Sequence, residues 1–314
     1  MRKIPIFKFL FIAVSAIFAA NANAQVDTSA SHFYLFSYFL KQDAGVNLAL
    51  SSNGINWTPL NKGNVVATAD VGEKLVRDPS INLGPDGLFR MVWTTGWKGK
   101  NIGFAQSADP LHWPEEHALA VGEDIDSTGN CWAPEIFYNA DKKNYMIYWS
   151  SNVGPWKKGG EGRIYYVTTR DFKKFSKAQI LFRNGFPAGG APGNNGPIDA
   201  FILKDDGRYL LFYKKDDNSK VPTIYYRSGK TAEGPWEQEH GPVTPSTGDE
   251  GPSVIRINGR YCIFTDPFES DFAYMFSSSD LNSWERTVTD LKMAHGTVIE
   301  IPKSTAIGLL KKSN

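Results

Sequence analysis

The chain has 314 residues, with 34 basic and 33 acidic side chains and a formal net charge of +1. That balance excludes the basic stripe of a nucleic-acid binder and the polybasic surface of an anionic-lipid binder, and it points to an uncharged partner. Only two cysteines occur, Cys131 and Cys262, so neither a disulfide scaffold nor a cysteine metal site can organise the fold.

The first 24 residues read as an export signal rather than as part of the fold. Arg2, Lys3 and Lys8 precede an apolar run from Phe9 to Ala20, and Ala22-Asn23-Ala24 offers a small-residue cleavage site before Gln25. The run is too short to span a bilayer comfortably, and no cysteine follows it to carry a lipid. The expected destination is the periplasm or the extracellular space, with no membrane contact after cleavage.

From Gln25 onward one pattern recurs five times: a small or polar run closed by an aromatic. The closing residues are Trp57, Trp113, Phe175, Trp236 and Trp284, separated by 56, 62, 61 and 48 residues. A period of that size is expected when each repeat builds one four-stranded sheet, so residues 25–314 are predicted to form a single five-bladed β-propeller. An aromatic-rich strand lies upstream of each signature, at Phe33 to Phe39, Leu88 to Thr94, Tyr145 to Ser150, Arg208 to Tyr213 and Arg260 to Thr265. Between each such strand and its signature comes a second one, at Val46 to Leu50, Asn101 to Ala105, Arg163 to Thr168, Thr223 to Arg227 and Phe272 to Phe276. No helical periodicity of useful length is visible after the signal. Cys131 and Cys262 fall on different blades, and two free buried thiols are expected.

A third recurrence supplies the innermost strands, beginning Asp78-Pro79-Ser80-Ile81, Ala133-Pro134-Glu135-Ile136, Asp199-Ala200-Phe201-Ile202, Gly251-Pro252-Ser253-Val254 and Gly296-Thr297-Val298-Ile299. The fifth is last in the chain, whereas the N-terminal repeat has no inner strand before it. Ring closure resolves this if the C-terminal inner strand pairs with the N-terminal strands, which also removes an open sheet edge.

Inner strands of a propeller start from one face of the ring, so Asp78, Asp199, Glu250 and His295 should converge on one pocket, with Glu135 further along its strand. Asp78 and Glu250 should face each other across the channel. Paired carboxyl groups suit glycosidic bond cleavage, one protonating the leaving oxygen and one activating water or attacking C1. The four other histidines, at 32, 112, 117 and 240, have no spacing for a transition metal.

The ordered set Arg77-Asp78-Pro79-Ser80-Ile81, Trp132-Ala133-Pro134-Glu135-Ile136, Ile198-Asp199, Glu250-Gly251-Pro252 and His295-Gly296-Thr297-Val298 resembles glycoside hydrolase family 43 over the whole of residues 25–314. The resemblance implies Asp78 as general base of an inverting mechanism, Glu250 as general acid and Asp199 as the carboxylate that tunes the acid. It implies a pocket-lining role for His295, with a structural calcium or sodium ion in the channel as an option; Glu135, though part of a shared motif, is expected to be structural, and the histidine spacing predicts no catalytic metal and no required cofactor. The resemblance further implies an oligosaccharide or polysaccharide substrate and no protein partner.

Aromatic residues divide between packing and binding. Trp57, Trp113, Trp236 and Trp284 close the signatures, and Trp93 and Trp149 lie within strands, so all six are expected to pack. Trp132, Trp97 and Trp156, with Phe201 and Phe268, are the candidates for sugar stacking, and Arg77 is placed to pair with a channel carboxylate. The leading expectation is a secreted, exo-acting α-L-arabinofuranosidase working on plant polysaccharide side chains. The alternatives are a β-xylosidase, endo-arabinanase or exo-galactanase of the same family, or a carbohydrate-binding propeller without catalysis.

Overall fold

The computed structural model describes residues 26–40, 45–154, 161–183, 195–217, 223–244 and 248–313; residues 1–24, expected from sequence to be an export signal, and Trp156 lie outside the described residues. In chain order the strands are β1 (Phe33–Tyr38), β2 (Asn47–Ser51), β3 (Thr58–Pro59), β4 (Arg77–Leu83), β5 (Phe89–Thr94), β6 (Ile102–Ser107) and β7 (Glu116–Leu119). They continue with β8 (Trp132–Asn139), β9 (Asn144–Val153), β10 (Glu161–Thr169), β11 (Gln179–Arg183), β12 (Asn195–Asp205), β13 (Arg208–Asp217), β14 (Thr223–Gly229) and β15 (Trp236–His240). The last are β16 (Asp249–Ile257), β17 (Arg260–Pro267), β18 (Phe272–Ser278), β19 (Glu285–Lys292) and β20 (Gly296–Ile301), and a helix α1 (Lys303–Ser313) follows.

Five antiparallel blades result. Blade 1 is β20-β1-β2-β3, and blades 2 to 5 each take the next four strands in chain order. Blades 3 and 4 are additionally joined by one parallel pairing, Glu161 with Asn195. The expected closure is present: β20 runs antiparallel to β1 from Phe33↔Ile301 to Tyr38↔Gly296.

The strands next to the innermost ones read as continuous apolar runs because both of their faces are covered. Successive side chains of a strand point to opposite faces. Accordingly Leu35 enters the apolar cluster shared by blades 1 and 2, while its neighbour Phe36 enters the one shared by blades 1 and 5. Trp93 and Val92, Trp149 and Tyr148, Tyr213 and Phe212, and Phe264 and Ile263 divide in the same way. Five clusters thus fill the five interfaces between blades.

The recurring signature has a physical explanation. Ser51 Oγ accepts from the backbone of Asn53 and Gly54, and Asn53 Oδ1 accepts from Ile55 and Asn56. Thr169 with Asp171, and Ser278 with Asp280, build the same pair of side-chain turns. The closing indole then caps the turn: Trp57 Nε1 donates to Gly54 O, Trp113 to Pro110 O and Trp284 to Leu281 O. Trp236 instead reaches across to Leu181 O of the preceding blade. Trp93 and Trp149 are buried, as are the free thiols of Cys131 and Cys262.

One element departs from expectation. The sequence showed no helix, yet α1 packs on blade 1 with Ala306 and Leu309 buried beside Ile301 and Leu50. Its buried face is narrow, made of Ala306, Leu309 and the polar Ser313, which is why the helical period is faint; Lys312 Nζ fixes it to Asp109 Oδ2 at 2.7 Å.

Closure leaves no space beside Gly296, where a Cβ would sit 2.0 Å from Ser37 O and 2.8 Å from Tyr38 Cα. Gly296→Ala must therefore displace backbone at the closing pair. Urea denaturation should show a loss of about 1–3 kcal/mol, the usual range for overpacking; an unchanged midpoint would mean that the β1–β20 pairing contributes little.

Candidate active site

Blades 2 to 5 carry the same irregularity where their inner strands begin. The ladders pass from Arg77↔Thr94 to Ser80↔Val92, from Trp132↔Ser150 to Glu135↔Tyr148, from Ile198↔Lys214 to Phe201↔Phe212, and from Glu250↔Asp266 to Ser253↔Phe264. Each inner strand advances three residues while its partner advances two, which is a β-bulge. Proline follows the bulged residue at Pro79, Pro134 and Pro252, where its missing N–H removes no ladder bond. The bulged residues Asp78, Ala133, Asp199 and Gly251 all have left-handed backbones, with φ of 51°, 44°, 53° and 59°.

This register corrects the alignment expected from sequence. Asp78 and Asp199 are equivalent, but Glu250 stands one position earlier in its blade, level with Arg77, Trp132 and Ile198. The closing strand β20 has no bulge, and His295 lies just before it.

Asp78 is held by two groups from different parts of the chain. Its Oδ2 accepts from Thr94 Oγ1 at 2.7 Å, and its Oδ1 lies 3.4 Å from His295 Nδ1. Burial works to raise the carboxyl, but the hydrogen bond and charge of His295, with Arg77 and Thr94, outweigh it and leave the pKa below the usual aspartate value. Burial likewise opposes a charged His295, yet Asp78, Asp199 and Glu135 together raise it to about 9. The two form a buried ion pair at neutral pH. Gly251 makes room for it, since a Cβ there would lie 2.6 Å from His295 Cγ and Cδ2.

Asp199 and Glu250 form a second group around a residue that the sequence did not single out. Lys214 Nζ donates to Glu250 Oε2 at 2.7 Å and stands 3.6 Å from Asp199 Oδ2. Asp199 also accepts from Gly251 N at 3.3 Å, and its own N–H donates to Ser150 Oγ at 3.1 Å. Lys214 and Asp199 are buried, whereas the Glu250 side chain retains 26% exposure and so remains accessible from the mouth. A signal for Lys214 did exist. Thr94, Ser150, Lys214 and Asp266, the residues opposite the start of each bulge, are all polar after an apolar run.

Glu135 lies between blades and joins three of them. Its Oε2 accepts from Ser80 Oγ at 2.5 Å and its Oε1 from Thr297 Oγ1 at 2.7 Å. Burial raises its pKa to about 7 against those hydroxyls. With both oxygens engaged and only 4% exposure, it is a structural tie. Among the described residues no group of three His, Cys, Asp or Glu side chains is arranged to hold a metal ion.

The aromatic candidates divide. Trp97 and Phe268 are each 56% exposed. Trp132 packs edge-on against Trp97 with ring centroids 6.2 Å apart, and its Nε1 donates to Trp97 O. Phe201 is not a rim residue. Past the bulge it rejoins the ladder opposite Phe212 and packs in the core between blades 4 and 5. Arg77 acts on Asp78 through its charge, but among the described residues it forms no close ion pair with a channel carboxylate; its guanidinium lies over the rings of Phe39 and Trp97, 4.9 and 4.4 Å from their centroids.

The raised Glu135 carboxyl gives a pH signature with a definite sign. Its folded pKa of about 7 exceeds the ordinary 4.5, so the folded state binds the extra proton and stability falls as pH rises from about 4.5 through 7. Thermal melts across that window should lose on the order of 2–3 kcal/mol from this group. Glu135→Gln should flatten the decline, and parallel profiles for the two proteins would show that Glu135 is not its source.

A family model described as a probable glycosyl hydrolase domain, related to family 43, matches residues 30–306. The chain is similar to an α-L-arabinofuranosidase of Bifidobacterium longum subsp. longum, at 22% identity across 73% of this chain and 26% of that protein, so it spans about a quarter of the length of the curated relative. Among solved structures it resembles an endo-arabinase of Bacteroides thetaiotaomicron, with a TM-score of 0.58 and 16% identity over 87% of this chain and 94% of that one. It also resembles an endo-1,4-beta-xylanase of the same organism, with a TM-score of 0.57 and 15% identity over 84% and 93%. At such identities these structures speak for the propeller fold alone, whereas the family model covers most of the sequence. The chain belongs to the family of probable glycosyl hydrolase domains related to glycoside hydrolase family 43.

Proposed function

We propose that the protein is an exported glycosidase that removes terminal α-L-arabinofuranosyl groups from plant polysaccharide by an inverting mechanism. The observation that carries this reading is the asymmetry of the two acidic groups at the mouth. Asp78 is paired with His295 and ionised, which suits a general base that must accept a proton from water. Glu250 remains accessible, and Lys214 occupies only its Oε2, leaving Oε1 to carry a proton to the leaving oxygen.

Lys214 gives Asp199 its part in this scheme. Lys214 stands between the two carboxyl groups, 2.7 Å from Glu250 Oε2 and 3.6 Å from Asp199 Oδ2, so Asp199 shares the ammonium that would otherwise face Glu250 alone. Water attacking C1 would lose its proton to Asp78 as the glycosidic oxygen takes one from Glu250. Trp97, Trp132 and Phe268 offer apolar ring faces for the sugar chain. Arabinofuranoside is favoured over xyloside or galactoside by the similarity to the Bifidobacterium enzyme, and export by the signal-like residues 1–24.

A panel of para-nitrophenyl α-L-arabinofuranoside, β-D-xyloside and β-D-galactoside tests the reading. Release is expected from the arabinofuranoside, and Glu250→Gln and Asp78→Asn should each lower kcat by at least about a hundredfold. A fully active Asp78→Asn protein would sink the base assignment, and binding of arabino-oligosaccharides without any cleavage would leave a binding propeller. The first-formed arabinose, followed by proton NMR, should carry the opposite anomeric configuration from the substrate; retention would require a covalent intermediate.

Asp199→Asn offers a separate check. It leaves Lys214 with Glu250 as its remaining carboxylate of the trio, so kcat on the arabinofuranoside should fall. An unchanged kcat would give Asp199 no part in the reaction.

A further inference from the structure

Arg77 is set apart from the other ring-stacked arginines. Arg90 lies over Tyr145 and Phe172 but also forms a two-bonded contact with Asp86. Arg227 over Phe182 is tied to Glu239, Arg256 over Tyr261 to Asp205, and Arg286 over Tyr274 to Glu269. Arg77 lies over the rings of Phe39 and Trp97 and acts on Asp78 through its charge, but among the described residues no carboxylate or carbonyl accepts a hydrogen bond from its guanidinium. Its N–H donors are thus left without a hydrogen-bond partner among the described residues.

Its position makes this a matter of recognition. Arg77 precedes Asp78 and is level, by ladder register, with Glu250 and Trp132 in their own blades. Side chains at this level contact the preceding blade: Glu250 meets Lys214, Trp132 meets Trp97, and Arg77 meets Phe39. Arg77 therefore stands on the mouth as Glu250 does, beside Trp97 with its exposed ring. An arginine stacked on two rings and with its N–H donors unused is placed for two parallel hydrogen bonds to paired acceptor oxygens, which are strongest when the acceptor is charged.

We propose that Arg77, stacked on Phe39 and Trp97, forms an anion subsite beside Asp78 that takes an acidic substituent of the sugar chain, a uronate carboxylate or a sulfate ester. This rests on the reading of the mouth as a sugar-binding site, and it identifies the substrate as an acidic glycan. The near-zero net charge of the chain is no obstacle, because recognition here depends on one oriented cation rather than on the overall charge.

Binding read without turnover tests the subsite. The purified, isotopically labelled protein would be titrated with D-glucuronate, D-galacturonate and D-galactose 6-sulfate beside neutral D-glucose and D-galactose, following the Arg77 Nε–H and Trp97 indole resonances. At least one class of acidic sugar should bind at least about tenfold more tightly than its neutral counterpart, and the preference should weaken with added salt. Arg77→Gln should abolish the preference, and Arg77→Lys, which keeps the charge but not the fork, should keep only part of it. The class that gains, uronate or sulfated, assigns the source. Equal or absent responses to acidic and neutral sugars, or a preference surviving in Arg77→Gln, would overturn the inference. Hydrolysis of a neutral aryl arabinofuranoside with no acidic preference would sink this subsite and leave the glycosidase reading. An acidic preference in a protein that cleaves nothing would do the reverse.

Discussion

The two-sided burial of each blade is the constraint on which the rest depends. A strand such as β1, with Leu35 facing one neighbour and Phe36 the other, has no solvent face to offer, so no blade can hold its apolar surfaces out of water alone. Adding blades in sequence leaves the first and last faces open until the ring closes. Pairing β20 with β1 closes it and places the C-terminal segment beside the N-terminal half of the chain. That pairing also brings His295 to Asp78 and Thr297 to Glu135. Closure and chemistry therefore share one set of contacts.

The repeated bulge converts a packing ring into a reactive pocket. It turns the start of each inner strand out of the ladder and places one residue per blade in left-handed backbone, a conformation that disfavours ordinary side chains by about 1–2 kcal/mol. Asp tolerates it better than most, through its short polar side chain, and Asp78 and Asp199 occupy two of the four positions. Gly251 is required twice, once for its φ and once because His295 fills the space a Cβ would need. Ala133 has neither excuse, but its N–H donates to Thr94 Oγ1, the hydroxyl that also holds Asp78. Strain in blade 3 is thus tied to the orientation of the carboxylate in blade 2.

Much of this was legible because it was repeated. The signatures encode side-chain turns that any copy of Ser-x-Asn or Ser-x-Asp can make, and the lone inner strand at the C-terminus announced how the ring closes. What was not legible is what depends on register. A one-residue bulge leaves no mark in composition, so Glu250 looked equivalent to Asp78 when it is level with Arg77, and Phe201 looked like a rim residue when it points into a core. Lys214 was hidden by sitting at the end of an apolar strand beside Lys215, since only the fold reveals which of the two faces Asp199. The helix α1 was missed because only two of its three buried residues, Ala306 and Leu309, are apolar, which makes a weak periodic signal.

Partnership explains why four acidic side chains can share so small a region. Like charges brought together inside a protein would drive protons back onto the carboxyl groups. Here each is paired with something different: Asp78 with a charged histidine, Asp199 and Glu250 with one lysine between them, and Glu135 with two hydroxyls. The partners come from other blades, or in the case of Lys214 from the second strand of blade 4 reaching forward to blade 5. No blade carries a complete acid–base unit. The protonation states that the proposed chemistry needs are consequently properties of the closed ring, and a change that loosens any interface near the mouth should alter them before it unfolds the chain.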